Sequence, residues 1–375
     1  MELTPGQIVM DRYRVDRLIG SGGMGSVYDA RDRVTSQRVA LKVLHAALLR
    51  HPVIPKRFVQ EATAARALTT PFAVKVEATG NLADGSPFLV MEYLDGVDLG
   101  QLVRQAGGTL SVSRVVRLAD QIASALEEAH AKGIVHRDLK PENVFVLQTP
   151  AGEMVKLVDF GISKILTRED GIRLTQTGTT LGTPQYMSME QLCGAKDLDG
   201  RVDVYALGVM LYEILAGVRP YDGFTYEEVI LKVASTTPAP LESLRGDLPA
   251  GLVNLVTRAM ERDRGARIGS MAEVRLALAE LLGQGRPSGA APRLSTGWPP
   301  ASPSSHPPKA RKNTGIVAVV VVVVALLGVA GFLVLAGAAA GAWFFVGSGT
   351  SKDLVQPAPK ANGSVPRSHA RSQTR

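Results

Sequence analysis

Hydrophobic and polar positions divide the chain into stretches of different kinds. Over residues 1–282, short alternating runs and helix-period runs succeed one another with brief turns between them. Ser26-Val27-Tyr28-Asp29-Ala30-Arg31 alternates, Arg33 to Ser36 offers a turn, and Val39-Ala40-Leu41-Lys42-Val43-Leu44 resumes as a strand. The stretch RFVQEATAARAL, which holds Glu61, reads as a helix. Val144-Phe145-Val146-Leu147 and Lys156-Leu157-Val158 read as further apolar strands.

Residues 283–314 lose all period. Pro, Ser, Gly and Ala dominate, which makes a flexible or polyproline-like linker. Residues 315–347 are almost uniformly apolar, and no charged residue occurs between Lys312 and Lys352. A bilayer core of about 30 Å needs about 20 apolar residues in a helix, so this run is predicted to cross a membrane once. Its position far from the N-terminus is unlike that of a cleaved signal peptide. Trp343, Phe344 and Phe345 suit one interface as an aromatic anchor. Gly337 and Gly341, in G-x-x-x-G spacing, would let two such helices approach, a route to a homodimer. Residues 348–375 form a short, polar, basic tail.

Composition changes this picture in three ways. The hydrophobic share of 45% is too high for a disordered chain. One cysteine, Cys193, excludes a disulfide scaffold and a cysteine zinc cluster, and it is expected to be a packing residue. The net charge of +7 suggests nucleic acid until it is located. Ten basic residues and a single acid, Asp353, lie after residue 282, so the part before it is near neutral. No nucleic-acid partner is expected.

The chemistry lies in residues 1–282. Gly20, Gly22 and Gly25 have G-x-G-x-x-G spacing, which by itself also suits a dinucleotide site. A dinucleotide fold needs a helix directly after the glycines. Here a strand follows, so the glycines belong to a β-hairpin whose backbone N–H groups can lie over phosphates. Lys42 is a lone cation in an apolar strand, and a buried cation requires a partner; Glu61 is the candidate. In Val135-His136-Arg137-Asp138-Leu139-Lys140-Pro141-Glu142-Asn143, the residues Asp138, Lys140 and Asn143 converge from one short loop, with His136 read as a packed structural histidine. Asp159-Phe160-Gly161 then places an acid at the end of a strand.

In this order and spacing the motifs resemble those of the eukaryotic-like, or Hanks-type, protein kinases, over about residues 13–280. The wording GSGGMGSVY, the stretch TQTGTTLGTPQYMS and the single span after a Pro-rich linker are similar to bacterial membrane-anchored serine/threonine kinases. The resemblance implies an α+β, bilobal kinase fold plus one transmembrane helix. An N-terminal segment (1–12) would precede a β-rich N-lobe (13–93) and a helical C-lobe (94–282). It implies ATP and Mg2+ as cofactors and protein Ser/Thr as substrate. Gly20, Gly22 and Gly25 would cover the ATP phosphates, and Ile19, Val27, Ala40 and Phe145 would sandwich the adenine. Met91 falls at the gatekeeper position, and the backbone of Glu92 and Leu94 would form the hinge hydrogen bonds. Lys42, held by Glu61, would bind the α- and β-phosphates. Asp138 would accept or orient the substrate hydroxyl proton, Lys140 would steady the γ-phosphate, and Asn143 and Asp159 would hold the metal. Thr175 and Thr177 occupy the positions that such kinases autophosphorylate, with Arg137 ready to receive the phosphate. Thr183 would be a structural partner of Asp138 and Lys140.

ATP and magnesium are abundant in the cytoplasm, which would place the kinase domain there and residues 348–375 across the cell membrane. The chain departs from the family pattern in several places. Ser188-Met189-Glu190 lacks the usual Pro, although Glu190 should still pair with Arg267. Tyr205 stands where many members have Trp, and Thr69-Thr70-Pro71-Phe72 replaces the usual entry after the first helix, so that contact is expected to differ. A catalytically silent scaffold and a transmembrane sensor are the competing readings; the intact Lys42, Asp138, Asn143 and Asp159 weigh against the first.

Overall fold

A computed structural model describes residues 2–160 and 184–284, except for the side chains of Glu61 and Gln284. These residues fall in the first of two units, Met1–Ala291 and Pro292–Arg375. The predicted threonine sites at 175, 177 and 183, the span at 315–347 and the tail at 348–375 lie outside the described residues. So does all but the first part of the linker. Among the described residues, no helix is long and apolar enough to cross a membrane.

The N-lobe is an antiparallel sheet in the order β1 (Ile8–Val9), β2 (Tyr13–Ser21), β3 (Gly25–Asp32), β4 (Arg38–Leu44), β6 (Pro87–Glu92), β5 (Val76–Asn81). Strand residues alternate between faces, and β4 shows the consequence. Val39, Leu41 and Val43 enter a core with Tyr13, Val15, Tyr28 and Phe88. Ala40 and Leu44 face the other way, where α1 (Ile54–Arg66) contributes Ile54, Phe58 and Ala62. Period two puts Lys42 on that second face, beneath the helix that carries Glu61. A one-residue slip would turn it outward.

The sheet begins before residue 13. Leu3 and Val9 are buried in the same core as Tyr13, so residues 2–12 pack with the N-lobe. The apolar residues of this short segment follow no regular period, which is why the sequence pattern did not point to them.

The C-lobe has a small sheet in the order β7 (Gly96–Asp98), β8 (Val144–Thr149), β9 (Gly152–Leu157). Its helices are α2 (Leu99–Gln105), α3 (Val112–Ala131), α4 (Met189–Leu192), α5 (Arg201–Ala216), α6 (Tyr226–Ser235), α7 (Leu241–Leu244), α8 (Ala250–Ala259) and α9 (Met271–Gln284). α5 is apolar nearly all round and runs through the core, as such a helix must. It stops at Gly217, whose φ of 75° suits a residue without a Cβ.

The connection after α1 is held by side chains of α3. Glu128 on α3 accepts the N–H groups of Thr69 and Thr70, each at 2.7 Å, and Lys132 donates to the Ala67 carbonyl at 2.6 Å. Burial opposes ionisation of Glu128, but Lys132 and the Thr69 groups outweigh it and hold its carboxyl at about 2. The chain then runs beside β9, where Leu157 donates to Phe72 O and accepts from Val74 N, each at 2.8 Å. Cys193 corrects an expectation: it ends the four-residue α4 and is exposed, not packed. A short helix on the surface buries only one face, and this position lies off it. Partial desolvation and the Glu190 carboxylate raise its thiol pKa.

Candidate active site

The β2–β3 hairpin carries the glycines as predicted. Gly22 N–H donates to Gly25 O at 2.9 Å and closes the turn. Gly25 is forced by packing, since a Cβ there would lie 2.2 Å from the Val43 carbonyl oxygen. Gly20 and Gly22 are different. A Cβ on either would meet nothing within 4 Å, so the space over the hairpin is open to a ligand. Val27 pairs with Gly20 on one side and with Lys42 on the other, and Ala40 pairs with Met91. Ile19 is exposed, Val27 half-buried and Ala40 buried. Glu92 ends β6, half-buried Leu94 follows it, and Phe145 lies half-buried on β8.

Lys42 has a partner, as its burial requires, in Asp159. The Nζ to Oδ1 distance is 2.5 Å, and the lysine side chain is only 11% exposed. Burial works against ionisation of Asp159, yet Lys42 outweighs it and holds the carboxyl below the usual carboxylate range. Asp159 has a φ of 59°, a left-handed conformation costly for a residue with a Cβ. Glu61 lies on α1, and its side chain is outside the described residues, so the expected Lys42–Glu61 pair is untested.

The loop after α3 is held from beneath by Asp203, a fully buried carboxylate on α5. It accepts the N–H groups of His136 at 2.8 Å and Arg137 at 2.7 Å, and contacts Nε2 of His130 at 2.7 Å. His136 is packed as predicted: buried, with Nε2 3.0 Å from Val158 O and its ring 4.9 Å from that of Phe160. Lys140 Nζ is 2.9 Å from Asp138 Oδ2. Asn143 donates through Nδ2 to Asp138 O at 2.8 Å and to Oδ2 at 3.1 Å. Val158 N–H donates to Asn143 O at 3.0 Å, which joins this loop to the segment bearing Asp159. Lys42 and Asp159 are thus joined to Asn143, Asp138 and Lys140 through the backbone of Val158.

A hard divalent cation seeks oxygen ligands, and magnesium commonly takes one or two from protein and the rest from phosphate and water. Asn143 spends its Nδ2 on Asp138, which leaves its carbonyl oxygen as the ligand atom. Lys42 contacts only one oxygen of Asp159. These two residues fit a magnesium ion of that kind. Among the described residues no group of three or more His, Cys, Asp or Glu side chains could hold a metal, so a dedicated protein cage is not offered.

The expected Glu190–Arg267 pair is present. Arg267 donates to Oε1 at 2.7 Å and to Oε2 at 3.2 Å, and its side chain is fully buried. It also donates to the carbonyls of Arg201 and Glu261, and sits 5.0 Å over the Tyr205 ring. Arg137 has a buried Nε without a partner among the described residues.

Sequence reasoning missed the anchoring role of Asp203. The signal was an acid inside the apolar run that became α5, because a buried charge must be compensated. It also missed Gln191, which donates to the Arg137 carbonyl at 2.9 Å.

A two-lobed fold with this cleft is matched by the family model for the protein kinase domain over residues 13–276. The chain belongs to that family, and its domain is of the bacterial Hanks-type serine/threonine kind. It is 39% identical over 280 residues to the serine/threonine-protein kinase pkn2 of Myxococcus xanthus, covering 74% of this chain and 33% of that protein. To the serine/threonine-protein kinase PknB of Mycobacterium tuberculosis it is 37% identical over 303 residues, covering 80% and 45%. The chain thus spans about a third to a half of these relatives' length. The crystal structure of the Mycobacterium tuberculosis PknI kinase domain superposes with a TM-score of 0.58 at 30% identity, covering 74% of this chain and 99% of that one.

Proposed function

We propose that this chain transfers the γ-phosphoryl group of ATP to Ser or Thr of proteins. The observation that carries this reading is the linkage from Lys42 and Asp159, through the Val158 backbone, to Asn143, Asp138 and Lys140. Phosphoryl transfer asks a protein for positioning and charge neutralisation more than for covalent chemistry. The glycine hairpin, with open space over Gly20 and Gly22 and with Gly25 fixing its base, covers the phosphates. Ile19, Val27, Ala40 and Phe145 enclose the adenine, and the Glu92 and Leu94 backbone orients it. Lys42 exchanges its contact with Asp159 for the α- and β-phosphates, with Glu61 as a second partner. Asp138 orients the attacking hydroxyl and receives its proton. Lys140 neutralises charge on the transferring group. Asn143 and Asp159 hold Mg2+, which when bound neutralises the phosphate oxygens. The test is to supply the full chain with γ-labelled ATP, magnesium and a mixed peptide library. Label on Ser and Thr is expected; label on Tyr alone, or none, removes the reading.

Activation by autophosphorylation forms part of the proposal. The buried Nε of Arg137, without a partner among the described residues, supports it, because a phosphate on Thr175 or Thr177 would supply an acceptor. The double variant Thr175→Ala/Thr177→Ala is expected to lose about tenfold or more in turnover on an external peptide. Unchanged turnover would remove this step.

Residues 315–347 are proposed to anchor the chain in the cell membrane. The kinase domain would lie in the cytoplasm, residues 348–375 outside, and two copies would pair through the Gly337/Gly341 face. The uncharged apolar run supports this. The chain is expected to remain with membranes after an alkaline carbonate wash, and its release into the supernatant would contradict the anchor.

A further inference from the structure

Glu92 closes β6 and is the first hinge residue, where its backbone is expected to meet adenine. Its carboxylate has other work. Oε1 accepts the Lys75 N–H at 2.7 Å and the Lys156 ammonium at 2.7 Å. Glu92 N–H in turn donates to Lys75 O at 3.0 Å. Lys156 lies on β9, its side chain only 12% exposed, and it also reaches Ala73 O at 3.5 Å. In the β8–β9 ladder it stands opposite Phe145, the residue assigned to the adenine floor. A hinge residue and the strand beside that floor therefore share one ion pair, largely withdrawn from water.

Losing this pair would disturb the two sides unequally. β9 keeps its place without it, through a ladder with β8 from Val144–Leu157 to Thr149–Gly152 and through the two Leu157 bonds to Phe72 and Val74. The hinge has less support of that kind. Glu92 is the last β6 residue paired with β4, opposite Val39, and regular structure resumes only at Gly96. On the N-lobe side Arg38 stacks 3.6 Å over the Tyr93 ring. Among the described residues, Lys156 provides the ion pair that ties the hinge to the C-lobe sheet.

We propose that Lys156, acting through Glu92, is a positioning residue for the adenine end of the nucleotide. The ion pair fixes the hinge backbone against the floor of the cleft. This rests on the kinase reading above. Adenine is held alike before and during phosphoryl transfer, so the effect is one of uniform binding and appears in the KM for ATP.

Adenosine isolates the hinge because it lacks phosphates. The affinities of the full chain for adenosine and for ATP are measured by calorimetry for wild type, Lys156→Met, Lys156→Arg and Lys42→Met. Lys156→Met is expected to weaken both ligands by about fivefold, the scale of a half-buried ion pair. Lys156→Arg should recover binding to within about twofold of wild type, since it keeps the charge. Lys42→Met should weaken ATP and spare adenosine. A folded Lys156→Met with wild-type adenosine affinity would overturn the proposal, as would a Lys156→Arg as weak as Lys156→Met. If Lys156→Met fails to fold, Glu92→Gln carries the same expectation and the same contrary result, because it keeps an acceptor for the Lys75 N–H and loses the charge. A wild-type chain that binds neither ATP nor adenosine would instead sink the kinase reading and this proposal with it.

Discussion

Asp138→Asn is expected to slow phosphoryl transfer by about two to four orders of magnitude, the range for removing a general base. Nucleotide affinity should stay within about twofold, because the residue is assigned to the substrate hydroxyl and not to ATP. The substitution is nearly isosteric. An Asn side-chain oxygen can still accept from Lys140 Nζ and Asn143 Nδ2, the two contacts that Asp138 Oδ2 makes now. The backbone contact from Asn143 Nδ2 to Asp138 O does not involve the side chain at all. Loop geometry is therefore retained, and the variant isolates the loss of charge and proton-accepting capacity. Initial rates on a peptide at saturating ATP read the effect. A variant within tenfold of wild type would place the proton acceptor elsewhere.

The second large effect is on stability. Arg267→Met should destabilise the domain by about 3–5 kcal/mol, the cost of breaking a buried pair from one side. The loss has several parts. Glu190 would keep a half-buried carboxylate without its bidentate partner, and the carbonyls of Arg201, Glu261 and Arg262 would each lose a donor. A methionine fills much of the space but offers none of these donors. Urea unfolding of the full chain reads this as a lower midpoint at an unchanged slope. A shift worth less than about 1 kcal/mol would show that the pair is dispensable.

The same pair sets a pH dependence. Burial alone would raise the pKa of Glu190, but the hydrogen bonds and charge of Arg267 outweigh it and hold the carboxyl below its ordinary value. A depressed carboxyl contributes stability that is fully present above the unfolded value of about 4.3 and is lost as pH falls through the folded value. In wild type part of the acid destabilisation arises here, and Arg267→Met removes that part.

The sequence revealed what depends on short spacing. The glycine hairpin, the strand that turns Lys42 inward and the loop that gathers Asp138, Lys140 and Asn143 are each set within a few residues by strand period or turn chemistry. Glu190 and Arg267 were legible through resemblance alone, since no local rule links residues that far apart. Contacts fixed only by tertiary packing were not legible. Lys42 demanded a partner, and nothing local pointed to Asp159, a contact that arises only when the lobes meet. Asp203 was visible as an acid in an apolar run, but the loop that it holds lies 66 and 67 residues away. In the sequence Lys156 figured only as the first residue of a strand and Glu92 only for its hinge backbone. Their pairing depends on how β9 passes the hinge.

The most direct test of a shared cleft is the influence of Mg2+ on ATP affinity in the full chain. Magnesium should tighten ATP binding by roughly tenfold, within the usual range of coupling between two ligands. In the double variant Asn143→Ala/Asp159→Asn that gain should vanish. A double variant that keeps the full gain would contradict the assignment of these two side chains to one metal beside one triphosphate.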